Sequence, residues 1–416
     1  MLKAISMVLL LGVIGCGALS KVEESMSESE PLSLRVTTFN IEDLRTEEVS
    51  NPESARAKAA AAVIQQLQPD VLLVNELTYD QPKGPAWVEG SAEGQNGQRF
   101  ADNFLAVSQG EGLAPRRYKA FMRPSNTGIA SGFDFDNDGV AVTEPPDLPP
   151  ATADPESRKQ TAEGRAYGAD NWGFGTFAGQ YSMALLVRED FEILEDRART
   201  FQHFPWSAMP EALAPIDPET GKPWYSEEEW AQFRLSSKSH WDVPVRLPSG
   251  AVIHFLVSHP TPAAFDGPEQ RNQKRNHDEI RFWADYLNGA DYIVDDNGQS
   301  GGLAPDASFI IMGDLNADPQ KGSSFNNPLG RFLLQHPRVM GAFTPVARTP
   351  GIDPEWSELD MADTSDWGMR IDYVLPSTDL IVEDGAIERP TTEAARVSDH
   401  FPVWVELTVP APDKGL

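Results

Sequence analysis

The sequence predicts an α/β fold in which one large domain occupies most of the 416 residues. Short apolar runs with the length of buried strands recur along the chain, and each ends in an acid, an amide or an imidazole. An alanine-rich stretch typical of a helix lies between the runs at 34–40 and 71–76, which is the pattern of a β-α-β unit. Because the polar strand ends extend from residue 40 to residue 400, a site built from them cannot be divided between two domains.

The stretch 309–318 shows this pattern most clearly. An apolar, partly β-branched run at 309–312 predicts a buried strand, and Gly313 allows the backbone to turn as the strand leaves the sheet. Asp314 and Asn316 follow, with side chains on the same side if the backbone stays extended. A charged acceptor and an amide so placed can orient a water or a metal ion and hold an anionic oxygen. The alternative is an Asx turn that caps the strand.

Several short motifs occur in an order that points to one protein family. They are Phe39-Asn40, Asn75-Glu76, Ser258-His259, Gly313-Asp-Leu-Asn316, Ile371-Asp-Tyr373 and Ser398-Asp-His400. Together they resemble the motifs of the DNase I-like endonuclease/exonuclease/phosphatase superfamily, over residues 34 to 409. The resemblance implies a two-sheet α/β sandwich flanked by helices, with long loop insertions and the active site at one edge. It is specific for the superfamily and not for a substrate.

The resemblance also implies a metal-dependent phosphoric ester hydrolase. It makes Glu76 a metal ligand with Asn40 beside it, and Asp399 a carboxylate on the metal side. Glu42 falls where some family members have a second acid, so it is a further candidate. Hard oxygen ligands of this kind suit Mg²⁺ or Mn²⁺, with Ca²⁺ as an alternative.

Two histidines and their neighbours carry the expected catalytic roles. The family pattern places Asp372 against His400, so that the carboxylate fixes the tautomer of a general base or phosphate contact. His259 resembles the phosphate-binding histidine and is also a candidate acid. Asp314 is the second candidate for orienting the attacking water, and Asn316 is expected to hydrogen-bond the phosphate oxygen. The sequence leaves open which group takes the proton.

The charge of the chain limits the classes of substrate. There are 63 acidic against 34 basic residues, which gives a formal net charge of −29. This balance disfavours a tight, nonspecific nucleic-acid binder, because phosphate contacts need Lys and Arg. A bound divalent metal can still supply local positive charge, so nucleic acid remains a possible substrate.

We therefore expect an exported phosphoesterase that hydrolyses phosphate mono- or diesters by metal-assisted attack of water. One alternative is an extracellular endonuclease of the same superfamily. A second is a catalytically inactive, lipid-tethered binding protein, which has no need of Asp372 behind His400.

A basic cluster follows the predicted strand that ends at His259. Arg271 and Arg275 lie on one face of a predicted helix, where they could hold the substrate phosphate by bidentate hydrogen bonds. The alternative is ion pairing with the neighbouring acids Glu269, Asp278 or Glu279.

A separate acidic loop is a candidate calcium site. Asp134, Asp136 and Asp138 alternate before Gly139, which is the first half of a calcium-binding loop. The EF-hand pattern fails further on, because its twelfth position would be Pro145. An ordinary acidic turn is the alternative.

The amino-terminal residues predict export and a lipid anchor. An apolar run follows Lys3 and ends in Val13-Ile-Gly-Cys16, which resembles the lipobox of a bacterial lipoprotein. The alternatives are a plain signal peptide or an uncleaved anchor. Because Gly17 is not the acidic residue associated with inner-membrane retention, we expect a lipid-anchored protein of the bacterial cell envelope, at the outer membrane or cell surface. Its expected partners are the phosphate ester and the membrane, while its oligomeric state is not predicted.

The predicted domain organisation has four parts. Residues 1–16 are a lipoprotein signal peptide that ends at the lipobox cysteine, and residues 17–33 are an acidic flexible tether. The catalytic domain extends over residues 34–409, and residues 410–416 form a tail.

Overall fold

The computed structural model of the chain describes residues 31–148 and 158–410. The predicted leader with Cys16, the tether up to residue 30 and all but the first residue of the tail lie outside the described residues. The described chain forms two mixed β-sheets that pack face to face, with helices on the outer faces. The predicted two-sheet α/β sandwich is confirmed. None of the helices in the described part combines the length and apolar character that a membrane span requires.

Strands account for most of the regular structure. In chain order they are β1 (Leu32–Leu44), β2 (Val71–Leu77), β3 (Tyr118–Phe121), β4 (Met183–Arg188), β5 (Glu192–Ile193), β6 (Arg199–Thr200), β7 (His240–Arg246), β8 (Val252–Ser258), β9 (Ser308–Asp314), β10 (Val346–Ala347), β11 (Asp372–Pro376), β12 (Ile381–Ile387) and β13 (Val403–Val409).

The α-helices of the described residues are fewer than the strands. They are α1 (Thr46–Ser50), α2 (Ala55–Leu67), α3 (Asn96–Phe100), α4 (Ala162–Ala169), α5 (Glu227–Gln232) and α6 (Arg271–Leu287).

The first sheet has the strand order β10-β12-β13-β1-β2-β4-β3, and the second has β11-β9-β8-β7-β5, with β6 also paired to β7. In each sheet the two central strands, β1 with β2 and β8 with β9, are parallel, and most of the remaining pairs are antiparallel. Two neighbouring parallel strands end at the same edge of a sheet. The carboxyl ends of β1 and β2 therefore meet at one edge of the first sheet, and those of β8 and β9 meet at one edge of the second.

The sheets meet through apolar side chains that are almost fully removed from water. Val36, Leu73 and Leu185 of the first sheet pack against Val257 and Met312 of the second. Successive side chains of a strand point to opposite faces, so the other set of apolar residues on each strand packs against a helix.

Helix α2 covers the outer face of the first sheet. Ser54 caps its first turn through a hydrogen bond from Ala57 N, and the helix ends where Gln68 adopts a left-handed φ of 51°. Ala57 and Ile64 pack onto Leu72 of the sheet. The second sheet is covered in the same way by α6, through Ile280 and Trp283 among others.

The long loop insertions that the resemblance implies are found in part within residues 80–175. The described residues of this segment include α3, β3, α4 and one π-helical turn, and most of the rest is turns and irregular chain.

Candidate active site

Polar side chains from both sheets meet at one edge of the sandwich because of the strand directions. The parallel pairs β1–β2 and β8–β9 end there. β13 and β11 run antiparallel to β1 and β9, so their first residues lie where those strands end. The side chains brought together at this edge are Asn40, Glu76, His259, Asp314, Asp372 and His400.

Asp314 lies at the centre of this group. Its Oδ2 atom accepts a hydrogen bond from Asn40 Nδ2 at 3.1 Å. The same oxygen lies 3.4 Å from Nε2 of His259 and 3.8 Å from Nε2 of His400. Burial raises the pKa of Asp314 to about 6, against the lowering effect of His400. A carboxylate in this position can orient a water molecule and accept its proton.

Asp372 and His400 form the pair that the sequence predicts. Nδ1 of His400 lies 2.9 Å from Oδ2 of Asp372, and Thr364 Oγ1 donates to the same oxygen at 2.8 Å. Burial lowers the pKa of His400, but the carboxylates of Asp372 and Asp314 outweigh burial and hold this pKa well above its ordinary value. The imidazole is therefore held as a charged donor whose Nε2 is on the side of Asp314.

His259 has the opposite electrostatic environment. Burial and then the charge of Lys238 lower the pKa of His259 well below its ordinary value, so the ring is neutral. Its Nδ1 atom is buried without a hydrogen-bond partner among the described residues. The contact between His259 and Asp314 is therefore not an ion pair, and the two histidines of the site differ in charge.

Glu76 provides the test of whether a metal ion fits. Its Oε1 accepts from Asn40 Nδ2 at 3.1 Å and its Oε2 from the backbone N–H of Asp43 at 3.0 Å. No lysine or arginine of the described residues pairs with this carboxylate, and burial raises the pKa of Glu76 to about 7. One ligand atom from each of Glu76, His259 and Asp314 falls within a group no more than 4.8 Å across. A divalent cation fits this set of two carboxylates and one imidazole, in which Glu76 has no Lys or Arg partner among the described residues.

The other predicted metal residues occupy different positions around Glu76. Asn40 turns its NH₂ group to Glu76 and Asp314, while its Oδ1 accepts the N–H of Glu42. Asn40 thus joins the two carboxylates, and its role as a ligand stays a prediction. Asp399 is on the open side, 42% exposed, with Oδ1 at 3.9 Å from His400 Nε2. Glu42 is exposed.

Four residues at this edge have left-handed backbone. Glu42, Asp43, Glu76 and Asn316 have φ angles of 53°, 52°, 64° and 51°, in the left-handed region that non-glycine residues seldom adopt. Such strain persists only where the surrounding structure enforces it, and it is typical of functional sites.

Asn316 differs from the prediction that it shares a side with Asp314. Because its φ is positive, the chain turns after Asp314, and Asn316 N–H donates to Asp314 Oδ1 at 3.0 Å. This is the Asx turn that the sequence offers as an alternative. Asn316 Nδ2 donates to the carbonyl of Pro260 at 3.1 Å, so the amide still lies beside the residue that follows His259.

The structure corrects the prediction that Arg275 holds a phosphate, while the same role for Arg271 stays a prediction. Arg275 is buried, and its guanidinium donates to backbone carbonyls, those of Leu235, Trp172, Arg234 and Ser236. Arg271 Nη1 donates to the carbonyls of Ala169 and Phe135. Among the described residues neither arginine forms the alternative ion pairs within 4.0 Å. Both arginines contact backbone of other segments of the same chain. The spacing of the two residues in the sequence does not reveal these contacts.

The acidic loop stays a prediction as a calcium site. Carboxylate oxygens of Asp134, Asp136 and Asp138 lie within 4.8 Å of one another. Backbone N–H groups already donate to them, from Asp138 and Gly139 to Asp134 at 3.1 and 2.8 Å. This geometry agrees with an acidic turn and with half of a calcium loop.

Sequence reasoning missed two residues beside the site. The Trp367 ring lies edge-on to His400 with 5.2 Å between ring centroids, and it is 49% exposed. Lys238 is buried, and its charge acts on His259. The only sequence signal for Lys238 is a lysine within small polar residues directly before an apolar strand.

The sequence and the structure were compared with known proteins. A family model described as the Endonuclease/Exonuclease/phosphatase family matches residues 37–400. None of the curated proteins compared with this chain matches it.

Solved structures with a similar fold come from several bacteria. An endonuclease/exonuclease/phosphatase from Beutenbergia cavernae DSM 12333 is 16% identical, with a TM-score of 0.46, and the match covers 92% of this chain and 73% of the other. A family protein from Leptotrichia buccalis C-1013-b is 14% identical, with a TM-score of 0.45 and coverage of 90% and 100%. A mannosyl-6-phosphatase from Bacteroides thetaiotaomicron VPI-5482 is 14% identical, with a TM-score of 0.41 and coverage of 90% and 100%.

Proposed function

The chain belongs to the endonuclease/exonuclease/phosphatase family, and from this premise we propose that it is an exported enzyme for small phosphate mono- or diesters. Members of this family are metal-dependent phosphoester hydrolases, which sets the reaction class of this chain. The observation that carries the proposal is the convergence of Asn40, His259 and His400 on one oxygen of Asp314.

The reaction needs a positioned water and donors for the phosphate oxygens, because anionic oxygens repel the nucleophile. In our proposal Asp314 orients the water and accepts its proton. His400, held by Asp372, donates from Nε2 to a phosphate oxygen. Asn316 keeps one amide hydrogen for the same purpose, since its other contact is the carbonyl of Pro260.

Glu76 and Asp399 would hold a divalent metal ion, which when bound would supply positive charge to the phosphate and the leaving oxygen. Asn40 fixes the two neighbouring carboxylates through its NH₂ group. Hydrolysis then forms a P–O bond to the water oxygen and breaks the ester P–O bond. The leaving oxygen takes a proton from solvent and departs as an alcohol, and Asp314 returns to solvent the proton that it accepted from the attacking water.

The preference for small esters rests on charge. The net charge is −29, and the basic pair expected near the site is directed to backbone carbonyls instead. Tight contact with a long polyanion needs several exposed Lys or Arg side chains along its path.

The test is hydrolysis by the purified protein of a phosphomonoester, a phosphodiester and duplex DNA, each with EDTA, Mg²⁺, Mn²⁺ or Ca²⁺. Metal-dependent cleavage of a small ester, well above that of DNA, would support the proposal. Preferential cleavage of DNA would favour the endonuclease instead. No hydrolysis of any of the three would contradict the proposal.

We further propose that the protein is anchored to the bacterial envelope through a lipid on Cys16, on the basis of the sequence of residues 1–16. Replacing Cys16 by Ser should move the protein from the membrane fraction to the soluble fraction. Unchanged membrane partition of Cys16→Ser would rule out the lipid anchor.

A further inference from the structure

Lys238 is a buried cation that has no role in the mechanism proposed above. It belongs to the polar segment 236–239 that leads into β7, and the residue is 6% exposed. Its Nζ donates to one backbone carbonyl, that of Pro260, at 3.4 Å. Pro260 directly follows His259, so the ammonium group lies against the chain that carries one of the two site histidines.

The ammonium group is poorly satisfied by the described part of the protein. It has three donors, and the single contact with Pro260 is long for a hydrogen bond. Within the described residues no carboxylate oxygen lies within 4.0 Å of its Nζ. Burial lowers the pKa of Lys238, although Glu279, Glu76 and Asp314 oppose this. A cation buried with so few partners is costly to the fold, which favours a functional reason for its presence.

The ammonium is directed toward the site edge. The carbonyl of Pro260 that accepts from Lys238 also accepts from Asn316 Nδ2 at 3.1 Å. Lys238 and Asn316 therefore lie on two sides of one oxygen, next to His259 and Asp314. The effect of Lys238 on the pKa of His259 is a second sign of this proximity.

Helix α6 holds the backbone on both sides of this contact. The carboxylate of Glu279 accepts the backbone N–H of Ser237 at 2.6 Å and that of Thr261 at 2.7 Å. One buried side chain thus joins the segment before β7 to the segment after β8. Arg275 adds a hydrogen bond to the carbonyl of Ser236 at 3.0 Å. The backbone that carries Lys238 is consequently held to the segment after His259 by buried contacts.

We propose that Lys238 binds a nonbridging oxygen of the substrate phosphate. This inference rests on the proposed function of the site. Glu76, Asp314 and Asp399 place several carboxylates near the reacting group, and an anionic ester needs fixed positive charge to approach them. Lys238 thus takes the role that the sequence suggests for Arg271 and Arg275. An ammonium on a buried stem presents a compact point charge, which suits one oxygen atom.

The experiment compares the wild type with Lys238→Met, which removes the charge and keeps the length of the side chain. Binding of inorganic phosphate is measured by calorimetry in the presence of Mg²⁺, and KM and kcat are measured for the best substrate. We expect phosphate affinity to fall about tenfold to a hundredfold and KM to rise with it, since one charge-assisted hydrogen bond is lost.

Lys119→Met is the matched control. Lys119 also donates to a single carbonyl at 3.4 Å, that of Phe191, but it is exposed on the edge strand β3. Its replacement should leave phosphate affinity and both kinetic constants unchanged. Lys238→Arg, which keeps the charge, should retain more phosphate affinity than Lys238→Met.

Thermal unfolding separates this role from a structural one. Removing a poorly paired buried cation should leave the unfolding midpoint unchanged or raise it. A lower midpoint together with wild-type phosphate affinity would overturn the inference, as would affinity within twofold of wild type in a stable variant. Lys238→Gln gives the same comparison if the Met variant does not fold. If the wild type itself neither binds phosphate nor hydrolyses esters, the proposed function fails first.

Discussion

Gly313, near the end of β9, lies in close contact with Ser258 at the end of β8. Its φ is 147°, and a Cβ atom added to it would overlap the carbonyl oxygen of Ser258. Asp314 follows directly, so the close approach of the two strands also sets the distance between His259 and Asp314. The glycine acts here through the space it leaves for the neighbouring backbone as well as through its φ angle.

Gly313→Ala should therefore lower the free energy of unfolding by about 2 kcal/mol or more, because the strands must separate to admit the methyl group. Urea denaturation measures this difference. Gly298→Ala is the control, since Gly298 has a φ of 84° and open space around its Cβ position, and only the cost of the φ angle is expected there, about 1 kcal/mol. If the two substitutions lowered the free energy of unfolding equally, the close contact between Gly313 and Ser258 would not contribute to stability.

The positions of some residues of the site can be predicted from the sequence, and those of others cannot. Asp314, Asp372 and His400 follow or precede apolar strands, so their position at a sheet edge can be inferred from the sequence pattern. The left-handed turn at Asn316 cannot, because asparagine is compatible with extended and left-handed backbone. Lys238 depends on contacts with segments far along the chain, which no local pattern reveals.

At the scale of elements, α6 fixes the position of the chain entering β7. Arg275 donates to the carbonyls of residues 234–236, Glu279 accepts from Ser237, and His240 Nε2 lies 3.0 Å from the carbonyl of Glu279. The sequence predicts both the helix and the strand that ends at His259. It does not predict how the helix meets the chain before β7, because the spacing of Arg271 and Arg275 shows that they share a face but not what that face contacts.

Arg275→Met tests whether the arginine supports the fold or binds phosphate. We expect a loss of about 2 to 4 kcal/mol in unfolding free energy, because several buried carbonyls lose their donor. Because Arg275 also holds the backbone beside Lys238, KM should rise, but by less than in Lys238→Met, at a temperature where the variant is folded. The control is Arg348→Met, since Arg348 is exposed and its carboxylate partner Asp384 is exposed as well. A stable variant with a much higher KM would restore the phosphate role.

His240 should make stability depend on pH. Burial lowers the pKa of His240 from 6.5 to about 4, so the unfolded chain takes up a proton before the folded chain does. The stabilisation is thus fully present above pH 6.5 and is lost as the pH falls toward 4. Between pH 7 and pH 4.5 the wild type should lose about 2 to 3 kcal/mol more than His240→Gln in urea denaturation. Parallel pH profiles for the two proteins would contradict this assignment.

At the scale of the whole molecule, the site depends on both ends of the domain. Asn40 and His400 lie 360 positions apart in a chain of 416 and approach the same carboxylate of Asp314. The single-domain architecture could be inferred from this dispersal. The direction in which each side chain points could not, since it depends on how the two sheets pack.

The most direct test of this account is turnover by Asp314→Ala with the substrate and metal that the wild type prefers. We expect kcat to fall by about a thousandfold or more, with an unfolding midpoint close to that of the wild type, because the group that orients the water is lost. Asp379→Ala is the control, an aspartate outside the site that accepts a hydrogen bond from Ser308. Turnover of Asp314→Ala within tenfold of wild type would contradict the central role of this carboxylate.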